Sequence, residues 1–401
     1  MTSLAAPGAQ LSAADLADGA REFLVTHDPA TTDPVQFLRA RFDAGLARVS
    51  YPVGLGGLEA DPGLQDGVDA IFAAAGSPGN RARDNIVGHG MAGPTILQFG
   101  TPEQRSRWMR PLWTGEEVWC QLFSEPGAGS DLAGLATSAV RDGDDWVVNG
   151  QKVWNSMAHE ARWGILVART DPAVPKHRGL TYFICDMSAP GVEVRPLRQI
   201  TGETEFNEVF LDDVRIPDAH RLGAVGQGWA VTQGTLMNER VTIGAAAPRG
   251  GGAIGELLRA WREHPQRRTA GLQDRMMQLW VEAEAARLAS VRMRQTTTTG
   301  QPGPEGSAGK LSQARLNQQI SSLELDLRGE AALRYGDYTE RRPVLVDLSE
   351  STPGYRYLRA RANSIEGGSS EIMRNIIAER MLGLPPEPRT DKDLPWKELA
   401  R

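Results

Sequence analysis

The hydrophobic period of this chain changes twice, and those two changes constrain its fold more than any other feature. Residues 1 to about 118 read as helical. Leu11 to Val25 predicts a first helix, with Ser12 as its cap and Asp15 downstream. Phe37 to Ala47, Gln65 to Ala75 and Asn85 to Phe99 follow, the last weakened by Pro94. Thr101-Pro102-Glu103-Gln104 opens another helix, with proline at the first helical position. From about 119 to 230 the period shortens. Ala136 to Val140 and Trp146 to Val148 flank a hairpin-like turn, and Ile165 to Ala168, Thr181 to Cys185, Val192 to Val194 and Val209 to Leu211 are further strands. Short strands with turns point to a small barrel-like or sandwich domain. They do not alternate with long helices, so a doubly wound nucleotide fold is not expected. From 231 helical spacing returns. Leu272, Met276, Leu279, Ala283 and Ala286 make one apolar face, and Leu316, Ile320, Leu323 and Leu327 another. Thr296 to Gly309, rich in Thr, Gly, Pro and Ser, reads as a loop between them, and Ser370 to Leu382 as a late helix. The expected organisation is α+β: an N-terminal helical domain (1–118), a middle β domain (119–230), a C-terminal helical bundle (231–386) and a tail (387–401).

Composition narrows the function classes. A formal net charge of -6 gives no general electrostatic case for nucleic acid or anionic membranes. The two cysteines, Cys120 and Cys185, form neither a disulfide framework nor a metal-ligand cluster, and a reducing compartment follows as the simplest reading. The first residues lack a basic segment followed by an apolar run, and no window has transmembrane character. A cytoplasmic location is expected. His89 and His159 stand alone, and no His/Cys/carboxylate grouping supports a metal.

Two motifs carry the chemistry. Ser124-Glu125-Pro126-Gly127-Ala128-Gly129-Ser130-Asp131 follows Gln121-Leu122-Phe123, and Asn149-Gly150-Gln151-Lys152-Val153-Trp154-Asn155-Ser156 comes next. The first alone reads as a turn, since proline fixes φ and glycine permits close approach. Trp154 alone reads as a core aromatic. Gly223-Ala224-Val225-Gly226-Gln227-Gly228 lacks a preceding strand and an acidic follow-up, so it is a loop and not a dinucleotide fingerprint. Taken together with Glu366-Gly367-Gly368-Ser369-Ser370-Glu371-Ile372-Met373-Arg374, the two motifs resemble the acyl-CoA dehydrogenase family over roughly residues 35 to 385.

That resemblance implies a middle β-barrel domain, a C-terminal four-helix bundle and bound FAD. It places Gln121, Phe123 and Ser124 along the flavin edge, Ser130 at the flavin phosphate, Trp154 as the aromatic wall and Ser156 near flavin N5. It implies removal of an α proton by a glutamate and of a β hydride by FAD, with the thioester carbonyl polarised by hydrogen bonds. Two carboxylates compete for the role of base. Gly367 occupies the family's commonest base position, and Glu366 lies one residue before it. Glu239, in Leu236-Met237-Asn238-Glu239-Arg240-Val241, matches the alternative site of the isovaleryl-CoA dehydrogenase branch. Glu239 is the favoured base and Glu366 the alternative. Gly367 contributes its backbone N–H to carbonyl polarisation, and Arg240 anchors the CoA side.

The implied activity is conversion of an acyl-CoA to the trans-2-enoyl-CoA, with electrons passed to electron-transfer flavoprotein or a similar acceptor. A homodimer or homotetramer is implied. The chain departs from the family's usual cluster around Gly255 to Trp261 and again near Arg328-Gly329-Glu330. Those departures keep open a partner subunit of a heteromeric assembly, and a flavin oxidase or monooxygenase on the same fold is the other alternative.

Overall fold

The computed structural model describes residues 11–82, 84–243, 248–297, 304–335, 339–343, 352–389 and 391–399; the side chains of 239–243 and 294–297 lie outside that description. Five helices come first: α1 (Ala13–Thr26), α2 (Pro34–Asp43), α3 (Gln65–Ala74), α4 (Gly93–Phe99) and α5 (Pro102–Thr114). Their starts follow local chemistry. Ser12 and Asp15 form a reciprocal capping box on α1, and Thr101 with Gln104 forms another on α5 behind Pro102. Pro94 cannot donate to the turn before it, and the backbone there relaxes into a π turn over Gly88–Ala92.

Eight strands follow: β1 (Trp119–Leu122), β2 (Ser138–Asp142), β3 (Asp145–Lys152), β4 (Trp163–Arg169), β5 (Leu180–Asp186), β6 (Val192–Pro196), β7 (Asn207–Pro217) and β8 (Arg221–Leu222). They form one mixed sheet in the order β6-β7-β3-β2-β4-β5-β8, and β1 runs parallel to β4. The expected β-barrel is not formed. β6 and β8 end the sheet without pairing to each other, and β2 joins β4 through a single residue pair, Ser138 with Arg169. The edge residues explain this. β8 has only two residues, whereas β6 ends on Pro196 and carries the exposed Glu193–Arg195 ion pair. Short edges, charge and proline all oppose further strand pairing.

Alternation along β4 and β5 sorts side chains into two cores. Ile165, Val167, Tyr182 and Ile184 pack with Phe23, Phe37, Trp108 and Trp119 against the N-terminal helices. Leu166, Ala168, Phe183 and Cys185 pack with Trp146, Val148, Val209 and Val214 inside the curl of the sheet. Both faces of these two strands are therefore apolar, which is why they read as unbroken hydrophobic runs.

Among the described residues six α-helices follow: α6 (Gly228–Ile243), α7 (Ala253–Glu263), α8 (Ala270–Thr297), α9 (Glu305–Arg328), α10 (Pro353–Ala360) and α11 (Ser370–Ile376). α9 packs against α6, α7, α8, α10 and α11. Met276 and Leu279 of α8 meet Leu316, Ile320, Leu323 and Leu327 of α9 in a third core, using the faces that the spacing predicts. The expected loop at 296–309 is shorter, since α8 reaches Thr297 and α9 starts at Glu305; 298–303 lie outside the described residues. Among the described residues no helix is long and apolar enough to cross a membrane.

Thr101→Ala removes the side-chain half of the α5 capping box. A loss of about 1 kcal/mol of stability is expected from chemical denaturation, and an unchanged midpoint would show that the box contributes nothing.

Candidate functional site

The two sequence motifs meet at the C-terminal end of β1. The backbone N–H of Val153 donates to Ser124 O at 2.9 Å, and Asn155 Nδ2 donates to Gln121 O at 2.6 Å. Asn155 and Asn207 exchange backbone hydrogen bonds of 3.0 and 3.1 Å, so the segment after β3 is also tied to β7. Gln121, Phe123, Ser124, Trp154 and Ser156 therefore lie on two laced strands of chain. Phe123 is buried and stands edge-on to Tyr182, with ring centroids 5.8 Å apart.

Beneath this lacing sits a buried ion pair. Lys152 is fully enclosed, and its Nζ donates to Phe123 O (3.0 Å), Glu125 Oε1 (2.8 Å) and Val167 O (2.9 Å). All three ammonium protons are thereby used. Glu125 also accepts from the N–H of Ala136 (2.6 Å) and of Thr137 (2.9 Å). Burial pushes the Glu125 carboxyl up, but Lys152 and these N–H groups outweigh it and hold it below the usual range. The sequence offers one signal for this pair: a lysine at an inward strand position needs a buried partner.

The surface above the pair is shaped for a ligand. Trp154 is 59% exposed although it has a φ of +63°, a strained value for a bulky residue. Its only ring contact described is with Phe206, edge-on at 5.8 Å. A side chain at Gly127 or Gly129 would meet no protein atom within 4 Å, and neither has a positive φ. The protein's own packing therefore does not require glycine there, whereas an incoming body that touches backbone would. Ser130, next to them, is exposed. An aromatic plate, a bare backbone turn and a free hydroxyl suit the ring and phosphates of FAD.

The base candidates fare differently. Glu366 is engaged: Oε1 accepts from Arg359 NH1 (3.0 Å) and Asn363 Nδ2 (2.6 Å), and Oε2 lies 2.9 Å from the same guanidinium. Gly367 and Gly368 follow with φ of +61° and +93°, a turn that favours glycine. Lys310 of α9 donates to Asn363 O and Gly368 O, at 2.9 and 2.5 Å, and so fixes both ends of this loop. Glu239 and Arg240 belong to α6, in the stretch whose side chains lie outside the described residues. The backbone of α6 is fixed one turn earlier. Thr235 Oγ1 lies 3.1 Å from Tyr182 Oη and 2.9 Å from Thr95 Oγ1. Position 239 lies one helical turn further along α6. A cavity of about 1040 Å³ opens among α7–α10, lined by Trp280, Ala286 and Ile320, and includes Arg359 and Asn363 in its wall.

Sequence profiles agree with this architecture. Those described as the acyl-CoA dehydrogenase N-terminal, middle and C-terminal domains match residues 12–116, 120–214 and 226–382. The chain belongs to the acyl-CoA dehydrogenase family. Members of this family are FAD-dependent oxidoreductases. The acyl-CoA dehydrogenase FadE34 of Mycobacterium tuberculosis is 42% identical over 344 residues, covering 86% of this chain and 45% of that protein. The chain thus spans less than half the length of that relative. The acyl-CoA dehydrogenase IpdE1 of Mycolicibacterium smegmatis is 37% identical over 86% of each chain. Among solved structures, the ChsE4-ChsE5 complex from Mycobacterium tuberculosis aligns with a TM-score of 0.69 and 26% identity, covering 96% of this chain and 100% of that one.

Sequence reasoning missed Glu205 and Arg359. Glu205 is buried, its Oε2 has no hydrogen-bond partner, and Arg359 Nε lies 3.9 Å from its Oε1. Burial pushes this carboxyl up to about 7; Arg359 opposes the rise and Glu203 adds to it. The folded chain therefore keeps a proton that an unfolded glutamate releases near pH 4.5. The resulting stabilisation is full below that pH and is lost as pH rises through about 7.

Two outcomes check this geometry. Lys152→Met strands the Glu125 carboxylate, at an expected cost of roughly 3–5 kcal/mol in thermal unfolding; adding Glu125→Gln should recover part of it, and a double variant no better than the single contradicts the pair. Glu205→Gln should flatten the pH dependence. Wild-type stability relative to the variant is expected to fall by a few kcal/mol between pH 4.5 and 7, and parallel profiles would refute the buried carboxyl.

Proposed function

We propose that this chain binds FAD and converts an acyl-CoA thioester to the trans-2-enoyl-CoA, with Glu239 as the base. The observation that carries the reading is the anchoring of α6: Thr235 meets Tyr182, Tyr182 abuts Phe123, and position 239 follows one turn later on the same helix. The engagement of Glu366 by Arg359 and Asn363 supports the same choice, because both of its oxygens are already engaged. This placement is that of the isovaleryl-CoA dehydrogenase branch.

Gln121, Phe123 and Ser124 would hold the flavin edge, Trp154 its face, Ser156 the region of N5, and Ser130 a phosphate. When bound, FAD supplies the hydride acceptor. Glu239 takes the α proton. The N–H of Gly367 donates to the thioester carbonyl as negative charge develops there. Arg240 holds the CoA side. Segments 1–118, 119–230 and 231–386 are read as the N-terminal helical, middle β and C-terminal bundle domains, with 387–401 as a tail, and the second and third share the reaction. Electrons leave to electron-transfer flavoprotein or a similar acceptor, and the chain works as a homodimer or homotetramer.

A second reading makes this chain one half of a mixed assembly. The match to a chain solved in the ChsE4-ChsE5 complex favours it.

Anaerobic bleaching of the FAD-loaded protein by a panel of short, branched, long and bulky acyl-CoAs tests both. Bleaching by one class, reduced at least ~100-fold in Glu239→Gln and retained in Glu366→Gln, is the expected result. Loss confined to Glu366→Gln overturns the assignment of the base. Bleaching that needs a second homologous chain selects the mixed assembly.

A further inference from the structure

We propose that Arg359 is a positioning residue that couples the aromatic wall at Trp154 to the loop carrying Gly367. The inference rests on the reading of 121–156 as the flavin edge and of Gly367 as a carbonyl-polarising N–H. Arg359 sits near the end of α10, between the two parts. On one side its NH1 lies 3.0 and 2.9 Å from the two oxygens of Glu366, the residue just before Gly367. On the other side its Nε faces Glu205 at 3.9 Å, and its guanidinium carbon lies 5.9 Å from the centre of the Phe206 ring. Phe206 in turn meets Trp154 edge-on at 5.8 Å, and Glu205 O accepts the N–H of Met157 at 2.9 Å.

The charges explain why this contact is needed. Arg359 is flanked by the carboxyl groups of Glu205 and Glu366. Glu203, next along, is occupied by Tyr355 Oη at 2.7 Å and by Arg341 at 3.8 Å. Without Arg359 the Glu366 carboxylate loses its cation, and the buried Glu205 carboxyl loses the donor facing it with no solvent to turn to. Lys310 would still pin Asn363 O and Gly368 O. Lys310 therefore fixes the ends of the loop, whereas Arg359 sets its register against the wall. Glu366 becomes an anchor for the Gly367 N–H, which gives that carboxylate a role other than base.

The experiment compares FAD-loaded wild type, Arg359→Met, Arg359→Lys and Glu366→Gln. Three readouts are taken: visible circular dichroism of the bound flavin, flavin content, and the anaerobic bleaching rate as a function of acyl-CoA concentration. Arg359→Met should retain flavin yet change its dichroism, and should bleach about 10- to 100-fold more slowly at saturation with little change in the half-saturating concentration. Arg359→Lys should recover part of both effects, and Glu366→Gln should lose less, since an amide oxygen still accepts from Arg359. If Arg359→Met does not fold, Arg359→Lys decides on the same readouts through its loss of the planar two-sided grip. Wild-type dichroism and rate in a folded Arg359 variant overturn the proposal, as does a rate loss that only tracks flavin loss. Failure of the wild type itself to bleach refutes the dehydrogenation reading instead, and the dichroism still tests the coupling.

Discussion

The arrangement of the candidate site depends on one buried ammonium. Lys152 has no water to bind, so its three protons must find acceptors within the protein. It finds them on three different segments: the end of β1 at Phe123, the turn at Glu125, and β4 at Val167. Glu125 extends the same network to the start of β2 through two backbone N–H groups. A bare turn of proline and glycines would otherwise have little to hold it. Clamped from below, it can leave its upper surface without side chains and still keep one conformation. A strained, exposed Trp154 two residues after Lys152 is tolerated for the same reason.

The sheet supplies the rigid platform for that clamp. Its central strands are apolar on both faces, so β4 and β5 are locked between the helical core and the core inside the curl. An open sheet is sufficient for this. Closing a barrel would require β6 and β8 to pair, yet the chain spends those edges on charge, proline and brevity. The C-terminal helices then meet the platform at two places. α6 docks on β5 through Thr235 and Tyr182, and Arg359 reaches the 205–206 turn from α10. These contacts tie α6 and α10 to the sheet and to the turn that follows it.

Local features were legible in the sequence, and long-range ones were not. Ser12, Thr101 and Pro102 announce helix starts because capping involves residues three apart. The faces of α8 and α9 follow from spacing alone. The flavin-edge segments could be placed side by side because both motifs resemble one family. Closure of the sheet was not legible, since it depends on pairing between edges that no local pattern specifies. The partners of Lys152 and Arg359 were equally hidden. Glu125 lies 27 residues from Lys152, and Glu205 reaches Arg359 from another domain. In sequence Glu366 reads as an alternative base, and only the fold reveals that Arg359 and Asn363 hold it.

The most direct measurement is a crystal structure of the FAD-loaded protein with a non-reactive acyl-CoA thioester analogue. The account predicts the flavin ring against Trp154, the carboxylate of Glu239 within hydrogen-bonding range of the substrate α carbon, and Glu366 still paired with Arg359. A structure in which Glu366 has left Arg359 and faces the α carbon, with Glu239 turned away, would contradict it.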